Sequence, residues 1–143
     1  MAETPSPIVL ANARVIDPER GLDAPGSVIL AEGRVLASGP EALNQGAPDG
    51  ARVIDLDGAV VAPGLIDVGV VVGEPGAEHR ETLASASRAA AAGGVTTILT
   101  APETDPVIDD PALVDFMLRR ARDTAIVNVH PLAALTKGLA GEE

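Results

Sequence analysis

The sequence predicts an α/β chain in two parts, a small antiparallel β unit over residues 1–58 and the start of a parallel βα arrangement over residues 59–143. Three observations carry this. Up to Gly58, short β-branched runs are separated by turn residues. Beyond it, strand-like and helix-like stretches alternate in the rhythm of βαβ units. The apolar share is 46% and comes almost wholly from Ala, Val, Leu and Ile, with Phe116 the sole aromatic, so the core is aliphatic and has to be close-packed.

In chain order, Ile8 to Ile16 is the first strand candidate. Ser27 to Ala31 and Arg34 to Ala37 form a hairpin across Glu32-Gly33, where glycine supplies the positive φ of a tight turn. Arg52 to Leu56 is a fourth strand, reached through the Gly/Pro-rich connection Asn44 to Gly50. Val68 to Val72 belongs to an unbroken apolar run, the pattern of a strand buried on both faces. Thr82 to Ala92 reads as a helix with an alanine-rich inner face, stopped by Gly93-Gly94. Val95 to Thr100 is the next strand. Asp110 is an N-cap with Pro111 at the first helical position, and Val114, Met117, Leu118 and Ala121 recur at helical spacing towards a last turn carrying Arg119, Arg120 and Arg122. Ala125 to Val129 is the third parallel strand.

The formal net charge is −11 and no basic run occurs, so the chain would be repelled by nucleic-acid phosphates and by an anionic membrane surface. Without cysteine there is no disulfide, thiolate metal site or cysteine nucleophile. No apolar run approaches the ~20 residues of a membrane span and no cationic leader opens the chain, so the expected location is cytoplasmic. Neither a Gly-x-Gly-x-x-Gly nor a Gly-x4-Gly-Lys-Ser/Thr follows a strand, which leaves nucleotide binding unsupported.

Val53-Ile-Asp-Leu-Asp-Gly58, Val61-Ala-Pro-Gly-Leu-Ile-Asp67 and Glu74-Pro-Gly76, followed by Glu81-Thr82, Arg88 to Gly94, Thr96-Thr97, Pro106 to Pro111 and Leu135-Thr-Lys-Gly138, form an ordered set over nearly the whole chain. In that set the chain resembles the cyclic amidohydrolases, specifically the dihydroorotases. The resemblance implies the N-terminal part of a small β-sandwich over 1–58 and the first about three βα units of a (β/α)8 amidohydrolase barrel over 59–143. A closed barrel takes about 250 residues, so this one is incomplete and the chain reads as the N-terminal third of a longer polypeptide, a truncated product or a fragment.

The family carries Asp-x-His-x-His-x-Arg-Glu-Pro-Gly at the end of the first barrel strand and uses zinc. Here the segment runs Asp67-Val-Gly69-Val-Val71-Val-Gly73-Glu-Pro-Gly76. Residues i and i+2 of a strand share a side, so two histidines at that spacing would converge on one cation, whereas Gly69 and Val71 offer no lone pair. Restoring histidine at both is expected to improve metal binding if the remaining ligands persist. Gly73 stands where the family has an arginine for a substrate carboxylate, and Glu103 where it has an asparagine; a carboxylate there would repel an anionic substrate by kilocalories in a poorly solvated site.

Of the two histidines, His79 precedes the first barrel helix and reads as a surface or loop residue. His130 lies at the C-terminal end of the third strand, where barrel active sites sit, but a lone histidine is first a structural residue. Lys137 falls apart from the family's metal ligands; Asp67 and Asp109 suit turn hydrogen bonding, and Asp110 helix capping. The resemblance therefore implies a noncatalytic dihydroorotase homologue of pyrimidine biosynthesis, without cofactor, of the kind that serves as a structural partner of aspartate carbamoyltransferase in an oligomer. Two alternatives stand beside it. One is a cyclic amidohydrolase with relocated ligands, hydrolysing a cyclic amide or imide; the other is a fragment without function.

Overall fold

The computed structural model describes residues 5–142. The chain divides into two compact units, Met1–Pro63 and Gly64–Glu143.

The first unit is a five-stranded sheet built on β1 (Ile8–Asp17), β2 (Leu22–Ala31), β3 (Arg34–Gly39), β4 (Arg52–Asp55) and β5 (Val60–Val61). β1, β2 and β3 form an antiparallel meander, as the sequence suggests. The Glu32-Gly33 turn has positive φ at both residues, 52° and 70°, the twist that closes a two-residue hairpin. The unit is not wholly antiparallel, however. β4 and β5 both pair with β1 in parallel, one against Ile8 to Ala11 and the other against Arg14 and Val15. The break between them is a turn in which Asp55 accepts from the backbone N–H of Asp57 and from the Asn12 side chain, both at 3.0 Å. Those bonds hold the Asp55 carboxyl below its ordinary range, the Asp57 N–H contributing most. β5 ties the residues after Gly58 into this unit, so the junction falls after Pro63, later than the change of rhythm in the sequence. Among the described residues the unit is a single sheet, with Ala13, Val15 and Val28 at the centre of its core.

The second unit contains β6 (Leu65–Val70), α1 (Leu83–Ala92), β7 (Val95–Thr100), α2 (Pro111–Thr124) and β8 (Asn128–Pro131), closed by the 3-10 turn Lys137–Leu139. The strands are parallel in the order β6-β7-β8. Thr82 and Ser85 cap α1 reciprocally, each side chain accepting the other's backbone N–H at 3.1 Å. Asp110 caps α2 through Ala112 N–H at 2.8 Å. Leu83, Ala86, Ile98, Ile108, Met117, Ala121 and Val129 make one core, which puts both helices on the same face of the sheet. Sequential strand order with helices on one face is the arrangement with which a βα barrel begins; a doubly wound sheet would cover both faces.

Three expectations change here, the first being that β6 spans Leu65–Val70 and not Val68 to Val72. β8 begins at Asn128 rather than Ala125, because α2 runs to Thr124 and Ala125 serves as its C-cap. β6 is not buried on both faces: Ile66 and Val68 are 65% and 67% exposed. They share register rows with Thr97 and Leu99 on the face away from the helices, which the described residues do not cover. Leu65 is 61% exposed and Asp67 is exposed as well, so of β6 only Val70 packs against the core. Among the described residues, no helix is long and apolar enough to cross a membrane.

Candidate functional site at the strand ends of the second unit

The C-terminal ends of β6 and β7 feed two loops that lock together. Asp105 N–H donates to the carbonyl of Pro75 at 3.1 Å, and Ala77 N–H closes a turn onto the carbonyl of Gly73 at 2.6 Å. Between the loops lies a cavity of about 430 Å³ walled by Val71, Gly73, Arg80, Glu81, Glu103 and Asp105, among others. The structure thus brings together three sequence-singled positions, Val71, Gly73 and Glu103. Gly69 and His130 are not among its walls.

β6 ends at Val70, so Val71 lies beyond the strand and is 67% exposed. Pairing slips between Val68 and Val70, which face Leu99 and Thr100, and leaves Gly69 as an extra residue with φ +86°. Such a bulge reverses the alternation locally, so the convergence argued for positions 69 and 71 from a regular strand does not apply here. Position 73 is closed for a different reason. A Cβ there would overlap the carbonyl oxygen of Ala77 and lie 2.7 Å from that of Glu81.

Glu103 is exposed at the cavity mouth. Its repulsion of an anion is therefore the water-screened one, about 1 kcal/mol at 4 Å, not the larger figure of a dry site. Glu81 and Asp105 add two carboxylates against one guanidinium, Arg80, and leave the cavity negative. Arg80, Glu81 and Asp105 were not singled out from sequence for this role, because the walls come from two loops far apart in the chain.

His130 pairs in register with Leu99, and the neighbouring Val129 is buried against the helices, so its imidazole stands on the uncovered face. His79 is exposed in the loop before α1. Lys137 donates to the Asp109 carbonyl at 3.2 Å, while Asp109 Oδ2 accepts from Gly138 N–H at 2.7 Å. Asp109 thus holds the segment after β8 rather than a local turn. Asp67, within β6, is an exposed strand residue and not a turn residue.

The side chain that organises the site is Glu74, 2% exposed. One carboxylate oxygen accepts from Leu83 N–H at the start of α1 at 2.9 Å; the other accepts from Arg120 of α2. The bond to Glu74 raises the Arg120 guanidinium above its ordinary value. Nearby, Glu78 accepts from Gly76 N–H at 3.0 Å, which draws its carboxyl below the ordinary range. Sequence reading placed Arg120 only in a helix-dipole role, since its partner lies 46 residues away.

These residues do not fit a zinc centre. Gly69 and Val71 carry no donor atom, and among the described residues no three His, Cys, Asp or Glu side chains are grouped so as to hold a metal ion.

Residues 58–143 match the family model described as Dihydro-orotase-like. A dihydroorotase of Solibacter usitatus (strain Ellin6076) is 47% identical over 137 residues, 96% of this chain and 31% of that protein. A dihydroorotase-like protein of Pseudomonas putida is 45% identical over 139 residues, 95% of this chain and 31% of the relative. The L-hydantoinase (dihydropyrimidinase) from Arthrobacter aurescens has the same fold over 89% of this chain and 27% of its own, with a TM-score of 0.77 at 22% identity. The chain spans under a third of the length of the curated relatives it matches.

Proposed function

Because the chain belongs to the dihydro-orotase-like family, we propose that it carries part of a noncatalytic dihydroorotase homologue, whose role is to hold aspartate carbamoyltransferase in its active assembly. One observation carries the reading: the end of β6 has no metal-ligating side chain, and its backbone at Gly69 bulges away from regular strand geometry. The rest of the site supports a scaffold role. Glu74, α1 and α2 form a fully bonded brace under two interlocked loops, while the cavity above them is negative and suits no dicarboxylate substrate.

In this reading the residues keep the loops in place without performing proton transfer or binding substrate. Zinc would supply an activated water in the family's hydrolases; Gly69 and Val71 offer it no ligand. Metal analysis and turnover of dihydroorotate and carbamoyl aspartate, measured on the protein expressed from its whole reading frame, test the proposal. The expected result is neither stoichiometric zinc nor turnover, with co-elution alongside aspartate carbamoyltransferase on size exclusion. Zinc-dependent turnover overturns the noncatalytic reading, and separate elution overturns the partner.

A second reading rests on the name dihydroorotase borne by a relative at 47% identity. Under it the protein is a hydrolase of cyclic amides with ligands drawn from elsewhere. The same turnover assay separates the two.

A further inference from the structure

We infer that positions 69 and 73 are reserved for glycine by the backbone itself, so that returning a metal-ligating or carboxylate-binding side chain to either one disrupts the fold before it can rebuild a site. The inference deepens the noncatalytic reading, on which its functional meaning rests, but its physical grounds are separate.

At Gly69 the obstacle is conformation and not room. A Cβ there would meet nothing within 4 Å, yet φ is +86°, where an L side chain crowds the following carbonyl. The backbone has little freedom to leave that region. The extra residue lets Val68 pair beside Leu99 on the uncovered face while Val70, two positions on, pairs beside Thr100 and packs against the buried core. In a regular strand those two residues would share a face. Flattening the bulge would therefore turn Val70 out of the core or draw Val68 into it, since a one-residue slip exchanges the faces.

At Gly73 the obstacle is room. The would-be Cβ meets two backbone carbonyls, those of Ala77 and Glu81, neither of which can rotate aside as a side chain would. Both lie in the loop that carries the chain from Glu74 to the cap of α1. Displacing it would pull Glu74 from Leu83 N–H and from Arg120. Position 71 is the contrast: it lies outside β6, is largely exposed and carries no such constraint. A histidine there is permitted, but a single imidazole does not hold zinc.

The test is a thermal-unfolding series on the full 143-residue chain. Val71→His is expected to unfold with the parent. At position 69 the expected order is Gly, then Asn, then Ala, with Gly69→Ala falling about 2–8 °C below the parent, because Asn visits the left-handed region more readily than Ala. Gly69→His is also expected to fall below the parent, and Gly73→Ala further still. If Gly69→His does not fold, the Asn and Ala variants still report the backbone. A Gly69→Ala or Gly73→Ala variant as stable as the parent overturns the inference. So does a Gly69→His/Val71→His variant that takes up one zinc per chain at the parent's Tm. Turnover by the unmodified protein would remove the noncatalytic reading yet leave this ordering intact, so the two failures are distinguishable.

Discussion

Glu74 is an anion enclosed by protein, and its two bonds account for its burial. A carboxylate left at that depth with only Leu83 N–H for company would retain most of its desolvation cost. Arg120→Met should therefore destabilise the chain, but by less than breaking a fully buried pair would, because the arginine side chain is 44% exposed and its charge is screened by water. Glu74→Gln, which keeps an oxygen for the Leu83 N–H, should cost less. Denaturant unfolding of both variants checks the ordering; equal loss would mean that leaving the Glu74 carboxylate without Arg120 adds no cost of its own. Gly69, Val71 and Gly73 show the opposite relation between residue and structure. Their lack of donor atoms is legible from the sequence, whereas the reason Gly69 is not interchangeable with alanine is a φ angle that composition does not reveal.

Among the elements, the two helices of the second unit are the most legible, because their signals are local. Thr82, Asp110 with Pro111, and Gly93-Gly94 each act within a few residues; α2 starts where Asp110 and Pro111 place it, and α1 starts at Leu83, with Thr82 as its N-cap instead of its first residue. Thr82→Ala removes one half of the reciprocal cap and should cost about 1 kcal/mol, as should Asp110→Ala at α2. Calorimetry on the two single variants and the double should show additive losses, since the caps share no bond. The strands were less legible. β2 starts at Leu22 rather than Ser27, because Leu22 to Gly26 pair with Asp17 to Ala13 of β1, a pairing across which Arg14 also binds Asp23 through two bonds of 2.7 and 2.6 Å. The parallel pairing of β4 and β5 with β1 has no signature in either strand's own pattern.

For the molecule as a whole, the decisive quantity is the uncovered face of the β6-β7-β8 sheet, where Ile66 and Val68 stand beside Leu99 and His130. Apolar surface of this kind binds hydrophobic dyes and promotes association. Val68→Thr should lower dye fluorescence and light scattering of the 143-residue chain while shifting stability by no more than about 0.5 kcal/mol, as at other exposed positions. A dye signal unchanged by the substitution would place the exposed surface elsewhere.

The sequence by itself determined both helices, every strand but β5, the Asp110 cap, and the absence of imidazole at positions 69 and 71, since these depend on residue identity or on near neighbours in the chain. Only the tertiary structure decided that β6 is left largely exposed, that it bulges at Gly69, that Gly73 packs on two carbonyls, and that Glu74 finds Arg120. Register and long-range pairing depend on the relative placement of segments tens of residues apart, and hydrophobic periodicity, which repeats every two or 3.6 residues, carries no information about that placement.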